Sequence, residues 1–243
     1  MEIATKRGRR GPKRMLSEDE ILDAALDLLD GGGAGAASVR GIAARVGVSP
    51  NAVYTYFPGK DAVVAALVER LLGGLNHDLF ADGTQPWRLR LESFALQLRQ
   101  HLCAHPGGVI LMIGAPINGP NARSLNERLL EILAAAGLQP LDAARASHLL
   151  IVYVIGFVAL EVADVGRPGP LASEADRVAA RRRTLAETPA ERCPRSAAAA
   201  GTIAGFISTE QFLWGLRRLL AAITPSTPSL AHRQERTGGA LLG

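Results

Sequence analysis

The feature that most constrains this chain is a run of helix start and stop signals between Ser17 and Asp61. Ser17-Glu18-Asp19-Glu20 precedes an apolar pattern at Ile21, Leu22, Ala25, Leu28 and Leu29. Serine followed three residues later by glutamate is a capping box, and acids in the first turn favour the helix dipole. A first helix is predicted from there to Gly31-Gly32-Gly33, where glycine takes the left-handed conformation that ends helices. Ser38 caps a short second helix carrying Ile42, Ala43 and Val46 on one face, and Gly47 supplies the turn after it. Ser49-Pro50 restarts the chain, with proline at the first helical position, and the helix it opens covers 51–57 before Pro58-Gly59. Two short helices joined by a glycine turn, the second opening on small polar residues, make a helix-turn-helix.

Lys60-Asp61 opens a longer amphipathic helix through Val63, Val64, Leu67, Leu71 and Leu72. The 3.6-residue period predicts further helices at about 87–104, 109–117, 124–136, 141–165 and 202–223, and nowhere does a period of two last long enough for a strand. Residues 166–201, with four prolines and many arginines, read as a long loop with one helical piece around 174–185. The expected fold is all-α. A basic arm (1–16) precedes a three-helix helix-turn-helix domain (17–62), a helical domain (63–223) and a disordered Pro/Ser/Gly-rich tail (224–243).

At 243 residues and 48% hydrophobic, the chain can bury a substantial core. Its longest uncharged apolar run, 149–160, is well short of the roughly 20 residues that cross a bilayer. The basic N-terminus lacks the apolar stretch of a signal peptide. Cys103 and Cys193 stand far apart in dissimilar contexts, so neither a disulfide framework nor a zinc cluster is expected. A cytoplasmic protein without a membrane partner is predicted.

The net charge of +4 is concentrated in the arm, where Lys6, Arg7, Arg9, Arg10, Lys13 and Arg14 face the single acid Glu2. Such a segment is attracted to a polyanion such as nucleic-acid phosphate. Standing before a helix-turn-helix, it points to double-stranded DNA.

The stretch from Ser38 to Asp61 closely resembles the DNA-binding domain of the tetracycline-repressor (TetR) family. Its most specific parts are Ile42-Ala43, Gly47-Val48, and Val53-Tyr54-x-Tyr56-Phe57 with Lys60 three residues on. The remainder resembles the regulatory domain of the branch containing the tetracycline repressors, through His105-Pro106-Gly107-Gly108 and Phe212-Leu213-x-Gly215-Leu216-x-x-Leu219-Leu220. The resemblance covers about 17–223. It implies that Arg40 reaches a base edge, its guanidinium suiting the paired acceptors of guanine. Asn51, Ala52 and Thr55, behind Pro50, stand where the family reads bases, with asparagine suited to adenine and a methyl to thymine. Tyr54 and Tyr56 would make phosphate and groove contacts, and Val53 and Phe57 would be core, with partial burial an alternative for Tyr54. Lys60 and the first amides of its helix match a phosphate clamp, joined by Ser38 and Ser49.

One such head makes few base contacts, so a homodimer on a palindromic operator is expected. The family places the dimer contact on the helices near 141–165 and 202–223, both apolar around much of their circumference. Its regulatory domain holds a small-molecule effector that shifts the heads off the operator. Matching through Trp87 and the His-Pro-Gly-Gly turn places Asn76, Phe94, Leu98, Met112, Pro116 and Arg128 on pocket positions. The tetracycline branch holds a drug-bound magnesium ion with a histidine at the position matched by Met112. A thioether is a poor ligand for that hard cation, so an apolar organic effector is expected instead.

His101 and His105 flank Cys103, but no third ligand is adjacent, so no metal site and no cofactor are predicted. Nothing resembles a nucleophile elbow or an acid–base pair, and an enzyme is not expected. The rival readings are an activator or effector-independent DNA-binding protein of the same fold, and a helical small-molecule carrier.

Overall fold

The computed structural model describes residues 16–33, 35–76, 83–163 and 169–223, over which no strand occurs. The arm through residue 15 and the tail from 224 lie outside the described residues. The head consists of α1 (Glu18–Gly32), α2 (Val39–Val46) and α3 (Pro50–Tyr54). Its local signals act as their chemistry dictates. The Ser17 hydroxyl accepts from the Glu20 amide while the Glu20 carboxylate accepts from the Ser17 amide, both at 3.2 Å. The Ser38 hydroxyl accepts from the Gly41 amide at 3.1 Å. Gly47 sits at φ 73 and ψ 33, a left-handed conformation that lets its amide close the end of α2. Helix α1 continues through the first two glycines of its triplet and is closed by the amide of Gly33.

Helix α4 (Lys60–Gly73) leads out of the head into α5 (Trp87–Ala104), α6 (Pro106–Gly114), α7 (Pro120–Ala135) and α8 (Pro140–Ala163). Helices α6, α7 and α8 start one to four residues earlier than the apolar period predicts, each on a proline. Proline costs nothing at the first helical position, where the missing N–H would be unpaired anyway. The expected head–body boundary at 62/63 falls inside α4. Val63 and Leu67 of this helix are buried at 3% and 1% exposure, Leu71 and Leu72 at 2% and 3%, and one apolar cluster runs unbroken from head to body.

The uncharged run 149–160 understates its helix: α8, of 24 residues, is long and apolar enough to cross a bilayer by length and composition alone once one or two charged residues are admitted, a test that buried core helices also pass. One face, through Ala143, Ala146, Leu150, Val154 and Val158, is buried at helical spacing against its neighbours, and Ser147 and Glu161 lie on it out of solvent.

The segment expected to be mainly loop is mostly helical where it is described. It forms α9 (Glu174–Ala186), α10 (Pro194–Ala198) and α11 (Ala200–Ala204). The helix expected over 202–223 is broken by a 3-10 turn, Gly205–Ile207, and restarts as α12 (Thr209–Ala222) under a cap from Ser208, whose hydroxyl accepts from the Gln211 amide at 3.2 Å. A buried polar knot holds α9 down. Arg99 of α5 donates from Nε and Nη2 to the two oxygens of Glu161, and from Nη1 to the Thr209 hydroxyl, each at 2.8 Å. Arg177 of α9 donates to Glu161 at 2.7 Å. Glu174 of α9 accepts from Arg99 at 3.2 Å and from the Thr209 hydroxyl and amide at 2.7 and 3.0 Å. A carboxylate this deep is tolerated only because it is fully paired.

Candidate DNA-reading face and ligand cavity

Most of the residues expected to read DNA are exposed on the head. Arg40 lies on the first turn of α2 and is exposed, with no ion pair among the described residues. Arg45, one turn further along the same helix, is instead held by Asp27 of α1 at 3.0 Å. Ser49 caps α3 by position alone, since its hydroxyl makes no cap bond. Asn51 and Thr55 are exposed, the Thr55 hydroxyl donating to the Asn51 carbonyl at 3.2 Å, while Pro50 and Ala52 are half-buried. Tyr54 is 50% exposed, and Lys60 is exposed at the first position of α4. Val53 and Phe57 are core at 0% and 6% exposure. Tyr56 is half-buried and its hydroxyl donates to the Leu16 carbonyl, which ties the start of the chain's described part to the turn after α3.

Helix α6 is welded to the head. Gly107 lies so close to α1 that a Cβ there would collide with the Leu29 carbonyl. Its amide donates to Asp30 at 2.8 Å, and the other Asp30 oxygen is 3.1 Å from His105 Nδ1. The His105 ring meets that of His101 edge-on, centroids 5.6 Å apart. Burial, and then the neighbouring His105, lower the pKa of His101 below its ordinary 6.5.

Behind this weld a cavity of about 610 Å³ lies between α4, α5, α6, α7 and α8. Leu98 and Met112 line it, as the resemblance implies. The other four expected positions do not: Phe94 is fully buried in the core, Asn76 and Pro116 are exposed, and Arg128 points outward to Glu131 at 2.9 Å. The wall carries instead Leu125 and Leu129 of α7, Ile151 and Ile155 of α8, and Leu72 of α4. Its polar atoms come from Asn126, Ser147 and His148, with the Ser147 hydroxyl donating to Asn126 Oδ1 at 2.8 Å. Among the described residues, no Asp, Glu, Lys or Arg lines it. A volume within the usual 300–1,000 Å³, apolar walls and a few polar groups are the attributes of a site for a small uncharged organic molecule.

The residues missed from sequence left a signal. Asn126 and Ser147 interrupt otherwise apolar faces, and Arg99 falls four residues after Ala95 and eight after Leu91 on the buried side of α5. Cys103 lies near that network. Burial, then the charge of Glu161, pushes its thiol up to about 12, so it stays protonated.

Comparison with known proteins assigns both halves. Residues 21–67 match the family "Bacterial regulatory proteins, tetR family", and residues 81–226 match "Tetracyclin repressor-like, C-terminal domain". A protein named HTH-type transcriptional regulator from Saccharopolyspora erythraea is 32% identical over 61% of this chain and 62% of its own length. The HTH-type transcriptional repressor DrrR1 of Streptomyces coeruleorubidus is 30% identical over 62% of this chain and 56% of its own. The match thus spans about three-fifths of the length of these two relatives. The crystal structure of a possible TetR family transcriptional regulator from Streptomyces coelicolor A3(2) superposes with a TM-score of 0.72 at 30% identity, covering 85% of this chain and 98% of that one. With the head and more than half of the chain matched in this way, the protein belongs to the TetR family of bacterial regulatory proteins.

Proposed function

We propose that the protein is a homodimeric transcriptional repressor, released from a palindromic operator when a small, largely apolar organic molecule fills the cavity. The observation that carries this reading is the cavity itself: about 610 Å³ of space with no charged side chain in its wall among the described residues, packed through α4 and α6 onto a head on which Arg40, Asn51, Thr55 and Lys60 are exposed. Apolar walls favour ligands by burial and reject ions, whose desolvation nothing there would offset.

Dimerisation is supported by apolar side chains that the single chain leaves in water. Leu149 and Leu160 on α8 are 47% and 74% exposed, and Trp214 on α12 is 53% exposed. An exposed apolar patch on a helical surface is a mark of an interface. The similarity to a protein named a repressor favours repression over activation.

The test is fluorescence anisotropy of the purified protein on duplex DNA from immediately upstream of its own gene, beside a scrambled duplex, at two salt concentrations, with light scattering for the oligomeric state. Saturable binding by a dimer that survives the higher salt on the native duplex is the expected result. Equal, salt-erased binding to both duplexes would leave only phosphate attraction and overturn it. A reporter whose expression falls on deletion of the protein would replace repression by activation.

A further inference from the structure

Two consecutive residues of α4 reach in different directions. Arg70 donates to Asp19 of α1 at 2.8 Å and to Asp23 one turn on, which fastens α4 to the head. Glu69 reaches the body. Its carboxylate accepts from the Asn121 amide at 2.7 Å and the Ala122 amide at 3.5 Å, and the Asn121 side chain returns a bond of 2.8 Å to the Glu69 carbonyl. The first turn of α7 has no cap of its own: Gly119 stands at the cap and Pro120 at the first helical position. A carboxylate borrowed from another helix therefore satisfies its unpaired amides and meets the positive end of its dipole. Ala122, one of the amides held, also lines the cavity, as does Leu72, three residues beyond Glu69 on α4.

We propose that Glu69 is the positioning residue that couples the cavity to the DNA-reading head. The inference rests on the effector reading above and adds its route. A ligand that shifts the first turn of α7 pulls on Glu69, hence on α4, and through Arg70 on α1. The bond from the Asn121 amide is short, charge-assisted and directional, whereas the apolar contacts around it tolerate sliding.

The experiment uses the full chain, the native upstream duplex, and N-phenyl-1-naphthylamine, a neutral apolar dye, as the cavity probe. Three quantities are read: operator Kd without dye, dye Kd without DNA, and operator Kd at saturating dye. The ratio of the two operator values is the coupling, typically about 5–150-fold where sites communicate. In Glu69→Ala the ratio is expected to fall to within about twofold of one, with both separate affinities retained within about threefold. Glu69→Gln keeps one acceptor oxygen and restores part of the ratio. Should Glu69→Ala fail to fold, Gly119→Ala reads the same contact from the other side. At φ −74 alanine fits the backbone, yet its methyl would displace the Glu69 carboxylate. A wild-type ratio retained in either variant overturns the proposal. A purely structural role would lower the melting temperature and leave the ratio alone, which also overturns it. A different result, wild-type protein that binds the dye in the cavity without any change in operator Kd, sinks the effector reading and the clamp with it.

Discussion

Arg99 grips Glu161 through two parallel hydrogen bonds of 2.8 Å, with the two residues only 8% and 1% exposed. The pair joins α5 to α8, and through Arg177, Glu174 and Thr209 it fastens α9 and the start of α12 to the same point. Removing one partner strands a charge in the interior. Glu161→Gln and Arg99→Met are each expected to destabilise the fold by about 3–5 kcal/mol, whereas Arg128→Ala, at an exposed pair, should cost under about 1 kcal/mol. Urea unfolding at neutral pH checks this, and equal midpoints for the three variants would refute it.

Acid should loosen α9 before the core. Burial alone would raise the Glu174 carboxyl, but the hydrogen bonds from Thr209 and the charge of Arg99 outweigh it and hold the pKa below the ordinary 4.5. With the folded value depressed, its contribution is complete above the unfolded pKa and is lost as pH falls through the folded one. Hydrogen-exchange protection factors in α9 should therefore fall below about pH 4.5 ahead of those in α5, and Glu174→Gln should remove the difference.

His101 works in a higher window. Burial and the neighbouring His105 lower its pKa from 6.5, so the neutral ring is the one the fold accepts. Its stabilisation is full above about 6.5 and declines as pH falls toward the depressed value. The urea midpoint should drop on acidification from about pH 7 to about pH 5.5, and His101→Gln should flatten that slope. An unchanged slope would show that the ring titrates normally.

On the DNA face, Arg40→Ala should weaken operator binding by about 1–3 kcal/mol and relax preference at one base pair, because its guanidinium stands clear of any ion pair among the described residues. Lys60→Ala should weaken all duplexes alike and reduce the salt slope by about 1. Anisotropy over a panel of single-base operator variants separates these behaviours; a uniform loss in the Arg40 variant would remove it from base reading.

Filling the cavity should block ligands without touching DNA binding. Ile151→Trp places an indole in the space that Ile151 now lines. Binding of N-phenyl-1-naphthylamine should fall at least about tenfold, a loss of about 1.4 kcal/mol. Operator affinity without dye should be retained, and undiminished dye binding would place the dye elsewhere.

Local signals were legible wherever one side chain decides one backbone bond. The Ser17–Glu20 box, the Ser38 cap and the Gly47 turn all follow from residues within four positions of one another. The Ser208 cap has the same form, with Gln211 three residues on, but lay hidden inside a continuous apolar pattern. What could not be read is non-local. Ser173 and the acids after it mark a start for α9, but what holds α9 in place is the Arg99–Glu161 network, whose members lie 16 to 110 positions apart. The cavity positions diverge for a related reason: resemblance fixes which helices meet, whereas the rotation of α7, with Leu125 and Leu129 inward and Arg128 outward, depends on tertiary packing.

The unbroken apolar seam along α4 bears on how such proteins can be recombined. A reading head is commonly imagined as a cassette, exchangeable at a joint. Here Val63 and Leu67 line a crevice with Leu29 and Ile42 of the head, Leu72 lines the cavity of the body, and all three lie within three turns of a single helix. A splice placed at residue 62 would hand the new head a foreign α4 surface, and Gly107, pressed on the Leu29 carbonyl, would meet a stranger's backbone. A working chimera must therefore carry across α1 to α4 as one piece, together with the first turn of α6 and the Glu69 contact on α7.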